Sequence, residues 1–382
     1  MRLVYYTKPF FSDCDFPLIR EFQKRGINMR VYIPINPDHK RTGIIDLKNL
    51  KRYPGIYKAS EYEEFAIYKD YVDLDKIYII NQPENTGRLQ TILLWLYSYI
   101  HILLFFPKIF HFNWQLEGWE RLLYKLPVVK YMTVHDPISH SSVKNEWEEE
   151  SRLLAFKSAN HYILLSDVLK DSFSEKYHIQ ETKIDVARMG EFSHLRCLNT
   201  TQQSFDFQYI LFFGQILSYK GLEYLCEAML HVNKKLPYLH LIIAGKGKMY
   251  FDYSKYEQLE YIHLNNSFIP IAELIKYISN SLFVVCPYKD ATQSGVVHTC
   301  FSCETPMIVT NVGALPKAVI HDETGLVVPP CDVEALANSI IELASSPNKM
   351  NFFRDNIINK WRPSMEWSSI VDIYINAYIK NK

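Results

Sequence analysis

Two stretches of this chain place phosphate-binding chemistry directly after a run of strand-forming residues. In FFGQILSYKGLEYL, residues 212–225, the apolar run ends at Gly214, and Lys220-Gly221 stands where a helix opens. Unpaired backbone N–H groups and the dipole of a helix N-terminus favour anions, so an ammonium group there can neutralise a departing diphosphate. A surface lysine in a connecting loop is the plainer alternative. In CPYKDATQSGVVHTCFSC, residues 286–303, a polar loop leads into another helix. The amides and hydroxyls of Thr292, Gln293, Ser294 and Gly295 suit phosphate oxygens at that N-terminus. A simple N-cap by Ser294 accounts for the same residues without a ligand. The third candidate is His135, which ends the run VVKYMTVH and precedes Asp136. A histidine at a strand end beside a carboxylate can donate to a sugar hydroxyl or a phosphate oxygen; a capping or core histidine is the alternative. His111, inside HFNW, reads as structural or cleft-lining, with a functional role as the alternative.

These residues need a scaffold that puts them at strand ends, and the order of elements supplies one. RLVYY (2–6) reads as a strand, FPLIREFQKRG (16–26) as a helix stopped by Gly26, and NMRVYIPI (28–35) as the next strand. Residues 37–75 are polar with little periodicity. IYIIN (77–81), a helix over 87–106, KIFHFNW (108–114), a short helix at 119–127 and VVKYMTVHD (128–136) follow, then a helix at 142–158, HYILLS (161–166) and a helix at 167–177. After the polar stretch 198–208 the alternation restarts: YILFFG (209–214), a helix at 221–236, LHLIIAGKG (239–247), helices at 271–281 and 294–303 around LFVVCP (282–287), PMIVTN (306–311), and a helix at 333–347. Such alternation predicts two α/β units with parallel sheets, which bind ligands beyond the carboxyl ends of their strands.

Composition narrows the class. With 382 residues, two domains are the expectation. Forty-two basic residues balance 42 acidic ones, so no global field for nucleic acid is expected. The 7 cysteines follow no recognisable signal peptide, which predicts a reducing, cytoplasmic setting. The run ILLWLYSYIHILLFF (92–106) is shorter than the roughly 20 residues of a membrane span and reads as a buried helix, because its apolar residues surround the axis. A peripheral contact with the inner face of a membrane is expected only if several of Trp95, Tyr97, Tyr99, Phe105 and Phe106 are exposed. Asp73-Leu74-Asp75 and Cys300-x-x-Cys303 lack supporting partners and read as chance and structure respectively.

Residues 209–345 resemble glycosyltransferase family 4, on Gly214 with Lys220-Gly221, IIAGKGK (242–248), SGVVHTCFSCETPMIVTNVGALPKAV (294–319) and HDETGLVVPPCDVEALANSI (321–340). YMTVHDPISH (131–140), ANHYILLSDVLKDSF (159–173) and EWSSIVDIYINAYI (366–379) extend the likeness more weakly. The resemblance implies an α/β fold of two Rossmann-like domains facing across a cleft, the GT-B fold: an acceptor-side domain over 1–197, a linker over 198–208, a nucleotide-sugar domain over 209–362, and a closing helix over 363–382 that returns to the first domain. It implies retaining transfer from a nucleotide-sugar donor to a glycan or lipid-linked acceptor in polysaccharide assembly, with no metal or other cofactor. His135 and Lys220 would then be catalytic, and Asp136 would lie on the acceptor side. Donor contacts would come from Gly214, Gln215, Lys220, Ile269, Thr292, Gln293, Ser294, Gly295 and Thr299. The chain departs from the family where an arginine is usual, at Gln215 and Leu217, and where two glutamates are usual, at Ala291 and Thr299. Those departures keep a non-catalytic sugar- or partner-binding protein of the same fold as the alternative, with a nucleotide-sugar epimerase or phosphorylase behind it.

Overall fold

The computed structural model describes residues 1–135, 146–167, 170–198, 205–291 and 295–380. They form two compact units, Met1–Gly190 with Glu366–Lys382, and Glu191–Met365. The first unit ends earlier than the expected Cys197. Its successor begins at Glu191 because the short helix Ser193–Leu198 packs on the helices Ile271–Asn280 and Gly295–Ser302.

In the first unit, β1 (Arg2–Tyr6) lies at the centre of a sheet, buried beyond Arg2 as a strand covered on both faces must be. β2 (Asn28–Ile35) follows, then a two-strand ribbon of β3 (Arg41–Thr42) and β4 (Ile45–Asp46), and β5 (Gly55–Lys58). β6 (Ile77–Asn81), β7 (Ile109–Phe112), β8 (Val129–Val134), β9 (His161–Leu164) and β10 (Ile184–Val186) complete the unit. The sheet order is β10-β9-β8-β7-β1-β2-β6-β5, so the chain reverses its direction of growth between β1 and β7. The expectation of a wholly parallel sheet needs correction at one edge, where β5 runs antiparallel to β6. The helix expected at 119–127 is a 3-10 helix, Gly118–Lys125, lying against the helix Arg88–Leu103. The closing helix Trp367–Lys380 belongs to this unit: Tyr374 and Tyr378 pack on Phe22 at 6.1 and 5.9 Å, and the Tyr131 hydroxyl donates to the Ala377 carbonyl at 2.8 Å.

The helix Arg88–Leu103 also corrects an expectation. It is not buried all round. Leu94, Trp95, Ser98 and Ile102 face the core, while Leu89, Leu93, Leu96, Tyr97 and Ile100 are 43–68% exposed.

In the second unit, β11 (Gln208–Phe213), β12 (Leu239–Ala244), β13 (Ile262–Asn265), β14 (Val284–Cys286), β15 (Met307–Thr310) and β16 (Gly325–Val328) form a parallel sheet of order β13-β12-β11-β14-β15-β16. Its reversal lies between β11 and β14. The sequence reading had no strand at β13 or β16; both are 4 residues long, and β13 carries His263 and Asn265.

Candidate functional site

The reversal points of the two sheets are where loops part in opposite directions and leave room for a ligand. At the second unit's reversal, β11 gives way to Gly214, whose φ of 110° favours glycine. A Cβ on Gly214 would stand 2.9 Å from the Lys220 Nζ, so the missing side chain leaves the space into which the ammonium reaches. Lys220 itself lies in the short 3-10 helix Ser218–Lys220, one residue before the helix Leu222–Lys235. Between them Gly221, at φ 64°, approaches the end of β14 so closely that a Cβ would fall 2.0 Å from the Pro287 carbonyl oxygen. The loop carrying Lys220 is thus held against the adjoining strand end.

Lys220 is 8% exposed, and its ammonium lies 5.3 Å from the centre of the Tyr288 ring. Burial lowers its pKa, with the neighbouring Cys286 thiol opposing. Its backbone N–H donates to the Leu217 carbonyl at 3.0 Å, but among the described residues its ammonium has no hydrogen bond and no ion pair. Its neighbour Lys289 differs, pairing with Glu223 at 2.8 Å. A buried cation without a protein counter-ion is costly, and an anionic ligand would relieve that cost.

The other donor-side residues are less distinctive. Gln215 is exposed, and Ile269 is half-buried just ahead of Pro270, which caps the helix Ile271–Asn280. Gly295 is exposed at the start of the helix Gly295–Ser302; Thr299, half-buried one turn on, donates its hydroxyl to the Gly295 carbonyl at 2.9 Å. Ala291 is 8% exposed. Thr292, Gln293 and Ser294, and Asp136 of the first unit, lie outside the described residues.

At the first unit's reversal a buried polar cluster follows β1 and β7. Asp15, in the first turn of the helix Ser12–Lys24, accepts hydrogen bonds from Tyr5 at 2.7 Å, from Asn113 at 2.5 Å and from Thr7. Asn113 Nδ2 also donates to the Thr7 hydroxyl at 2.7 Å. Desolvation raises the Asp15 pKa to about 7, against the lowering effect of these three donors. Beside it Lys8 pairs with Glu120 at 2.5 Å, both side chains being about one-tenth exposed.

His135 follows β8, and its ring stacks on Phe11 at 3.8 Å and 17°. Phe11 touches Trp114 at 5.2 Å, and Phe10 meets Trp114 edge-on at 6.1 Å. The His135 Nε2 is buried and has no hydrogen-bond partner among the described residues. Burial takes its pKa down to about 3, so the ring is neutral at pH 7. His111 is structural: it is fully buried and bonded to Tyr378 at 2.5 Å and Thr133 at 2.8 Å. Asp73 and Asp75 are also local in role. Asp73 accepts from the Asp75 amide at 3.0 Å, and Asp75 meets Lys58 at 3.3 Å.

The sequence pointed to the loop Lys8–Asp15, which holds Phe10 and Asp15, as the acceptor side, but it missed Thr7, Asn113, Glu120 and Trp114. The usable signal was position: Thr7 and Asn113 each stand one residue past a strand end.

Comparison with known proteins gives this arrangement a context. Residues 208–346 match the family model described as "Glycosyl transferases group 1". The chain is 21% identical over 254 residues to the alpha-D-kanosaminyltransferase of Streptomyces kanamyceticus, covering 62% of each chain. It is 23% identical over 244 residues to the capsular polysaccharide biosynthesis glycosyltransferase CapM of Staphylococcus aureus, covering 59% of this chain and 60% of that one. The chain therefore spans less than two thirds of the length of these curated relatives. Among solved structures it is similar to Anabaena Alr3699/HepE in complex with UDP-glucose, at a TM-score of 0.67 and 12% identity with all of both chains covered. Residues 208–346 are thus similar to the group 1 glycosyl transferases, within a chain that has the GT-B fold of two Rossmann-like domains.

Proposed function

We propose that this protein is a retaining glycosyltransferase that moves a sugar from a nucleotide-sugar donor to a glycan or lipid-linked acceptor, without a metal ion. The observation that carries this reading is Lys220: a buried ammonium at a sheet reversal, with no anionic partner among the described residues. In the reaction the bond between the anomeric carbon and the donor's terminal phosphate oxygen breaks. The acceptor oxygen bonds to that carbon and passes its proton to the departing diphosphate oxygen, and a nucleoside diphosphate leaves. Negative charge grows on the diphosphate as the bond stretches. A desolvated ammonium fixed in advance stabilises that charge more than it stabilises the ground state.

The helix N-terminus at Gly295, with Thr292, Gln293 and Ser294 before it, would share the diphosphate, and Ile269 with Pro270 would meet the base. The neutral His135 fits an acceptor-side role. An imidazole held uncharged by burial is a poor general base at pH 7 but a competent hydrogen-bond partner for a hydroxyl. Phe10 and Trp114 beside it offer ring faces of the kind on which sugars stack. Relatives named as a kanosaminyltransferase and as a glycosyltransferase of capsular polysaccharide biosynthesis support the reaction class and leave the acceptor open.

A mass-spectrometric assay with a panel of nucleotide sugars tests the reading. The expected result is free nucleoside diphosphate together with a glycosylated acceptor. Nucleotide binding without turnover would favour a non-catalytic role, and isomerised donor would favour an epimerase.

A further inference from the structure

The exposed side of the helix Arg88–Leu103 carries an apolar stripe that the first unit does not cover. Leu89 (68% exposed), Leu93 (55%), Leu96 (43%), Tyr97 (52%), Ile100 (52%) and Leu104 (66%) recur at the spacing of one helix face. At a rise of about 1.5 Å per residue the stripe runs on the order of 20 Å. Phe106, 68% exposed, continues it past the helix end. Of the five rings named from the sequence only Tyr97 and Phe106 are exposed; Trp95 is buried and Tyr99 and Phe105 are half-buried on the core, so leucines and isoleucine make up most of the stripe. The opposite face, with Leu94, Trp95 and Ile102, is buried in the core, so the helix cannot turn to hide the stripe.

Within residues 85–116 the charged side chains, Arg88 and Lys108, are both cationic. Arg88 stands at the start of the stripe, and Arg2 and Lys108 at its end, all exposed. Arg2 lies 6.0 Å from the Phe106 ring centre and donates to the Phe105 carbonyl at 3.2 Å. Between Glu84 and Glu117 the sequence contains no carboxylate. Arg2, Leu103, Phe106, Lys108, Pro127 and Val128 also line an open cavity of about 670 Å³, an apolar recess rimmed by two cations. No helix among the described residues is long and apolar enough to cross a membrane.

We propose that this stripe is a docking surface for an anionic lipid bilayer, on which the helix lies flat with its leucines in the headgroup boundary and Arg2, Arg88 and Lys108 against lipid phosphates. Apolar burial and attraction to anionic headgroups act together in such contacts. A second copy of the chain fits less well. Pairing two stripes, parallel or antiparallel, sets cationic ends against cationic ends, with no carboxylate in 85–116 to answer them.

Co-sedimentation with vesicles tests this and reads no sugar chemistry, so its outcome is independent of the proposed transfer. The wild-type protein is expected to pellet with phosphatidylglycerol-containing vesicles and about tenfold less with pure phosphatidylcholine, the difference shrinking as salt rises. Replacing the stripe as Leu93→Gln, Ile100→Gln and Leu104→Gln together should abolish pelleting while thermal unfolding stays cooperative. Lys108→Glu should weaken pelleting without changing the unfolding curve. The proposal is overturned if the wild type stays in the supernatant with both vesicle types at low salt, or pellets equally with both. It also fails if the triple variant pellets like the wild type, or if sedimentation equilibrium finds a dimer that the triple variant dissolves.

Discussion

The reversal points of the two sheets share a topology and handle buried charge in opposite ways. After β1, the Lys8 ammonium is answered by Glu120, and Asp15 is surrounded by hydroxyl and amide donors. After β11, the Lys220 ammonium is equally buried and has no counter-ion among the described residues. The first arrangement spends its charges on joining loops and presents rings and a neutral imidazole. The second holds one charge in reserve. Under the proposed transfer, the first arrangement would suit an uncharged, hydroxyl-rich acceptor and the second a diphosphate.

The contrast can be broken from the first unit. Glu120→Gln leaves Lys8 buried without its partner, and unfolding free energy is expected to fall by about 3 kcal/mol in urea titrations, with nucleotide affinity unchanged. Unchanged stability would show that the pair does not hold the loops. From the second unit, Lys220→Ala should lower kcat about 100-fold, roughly 2.7 kcal/mol of transition-state stabilisation. Stability should hold or rise, since a desolvated charge is removed. A variant with wild-type kcat takes Lys220 out of the mechanism.

His135→Ala sharpens the assignment of sides. Transfer should drop about tenfold, the worth of one hydrogen bond, while calorimetry finds donor affinity little changed. Loss of nucleotide binding with transfer spared would reverse the assignment. The smallest expected effect is a slope. The His111 pKa is about 3 in the fold against an ordinary 6.5, so its stabilising contribution is present above pH 6.5 and lost as pH falls toward 3. Asp15, raised to about 7, acts in the opposite sense: its ionised form is disfavoured in the fold, so acidification from pH 7 toward 4 restores stability. His111→Gln should therefore reduce the stability lost between pH 6 and pH 5 by about 1 kcal/mol relative to wild type, read from urea midpoints at both values. An identical pH dependence in the two proteins would mean that His111 does not titrate with unfolding.

The sequence by itself determined the alternation of strands and helices, the restart near residue 208, and the place of Lys220 where a helix opens and of His135 at a strand end. These rest on local physics: apolar runs bounded by glycine and proline, and side-chain spacing along one element. It did not determine the partners. Lys8 and Glu120 are 112 positions apart, and nothing local couples them. Thr7, Asp15 and Asn113 meet only because β1 and β7 are neighbours in the sheet. The helix Arg88–Leu103 marks the boundary most clearly. Its composition is apolar all round, so periodicity could not say which side would be buried. Tertiary packing alone chose Leu94, Trp95 and Ile102 for the core and left Leu93, Ile100 and Leu104 outside, because the sheet has room to cover only one face of a helix.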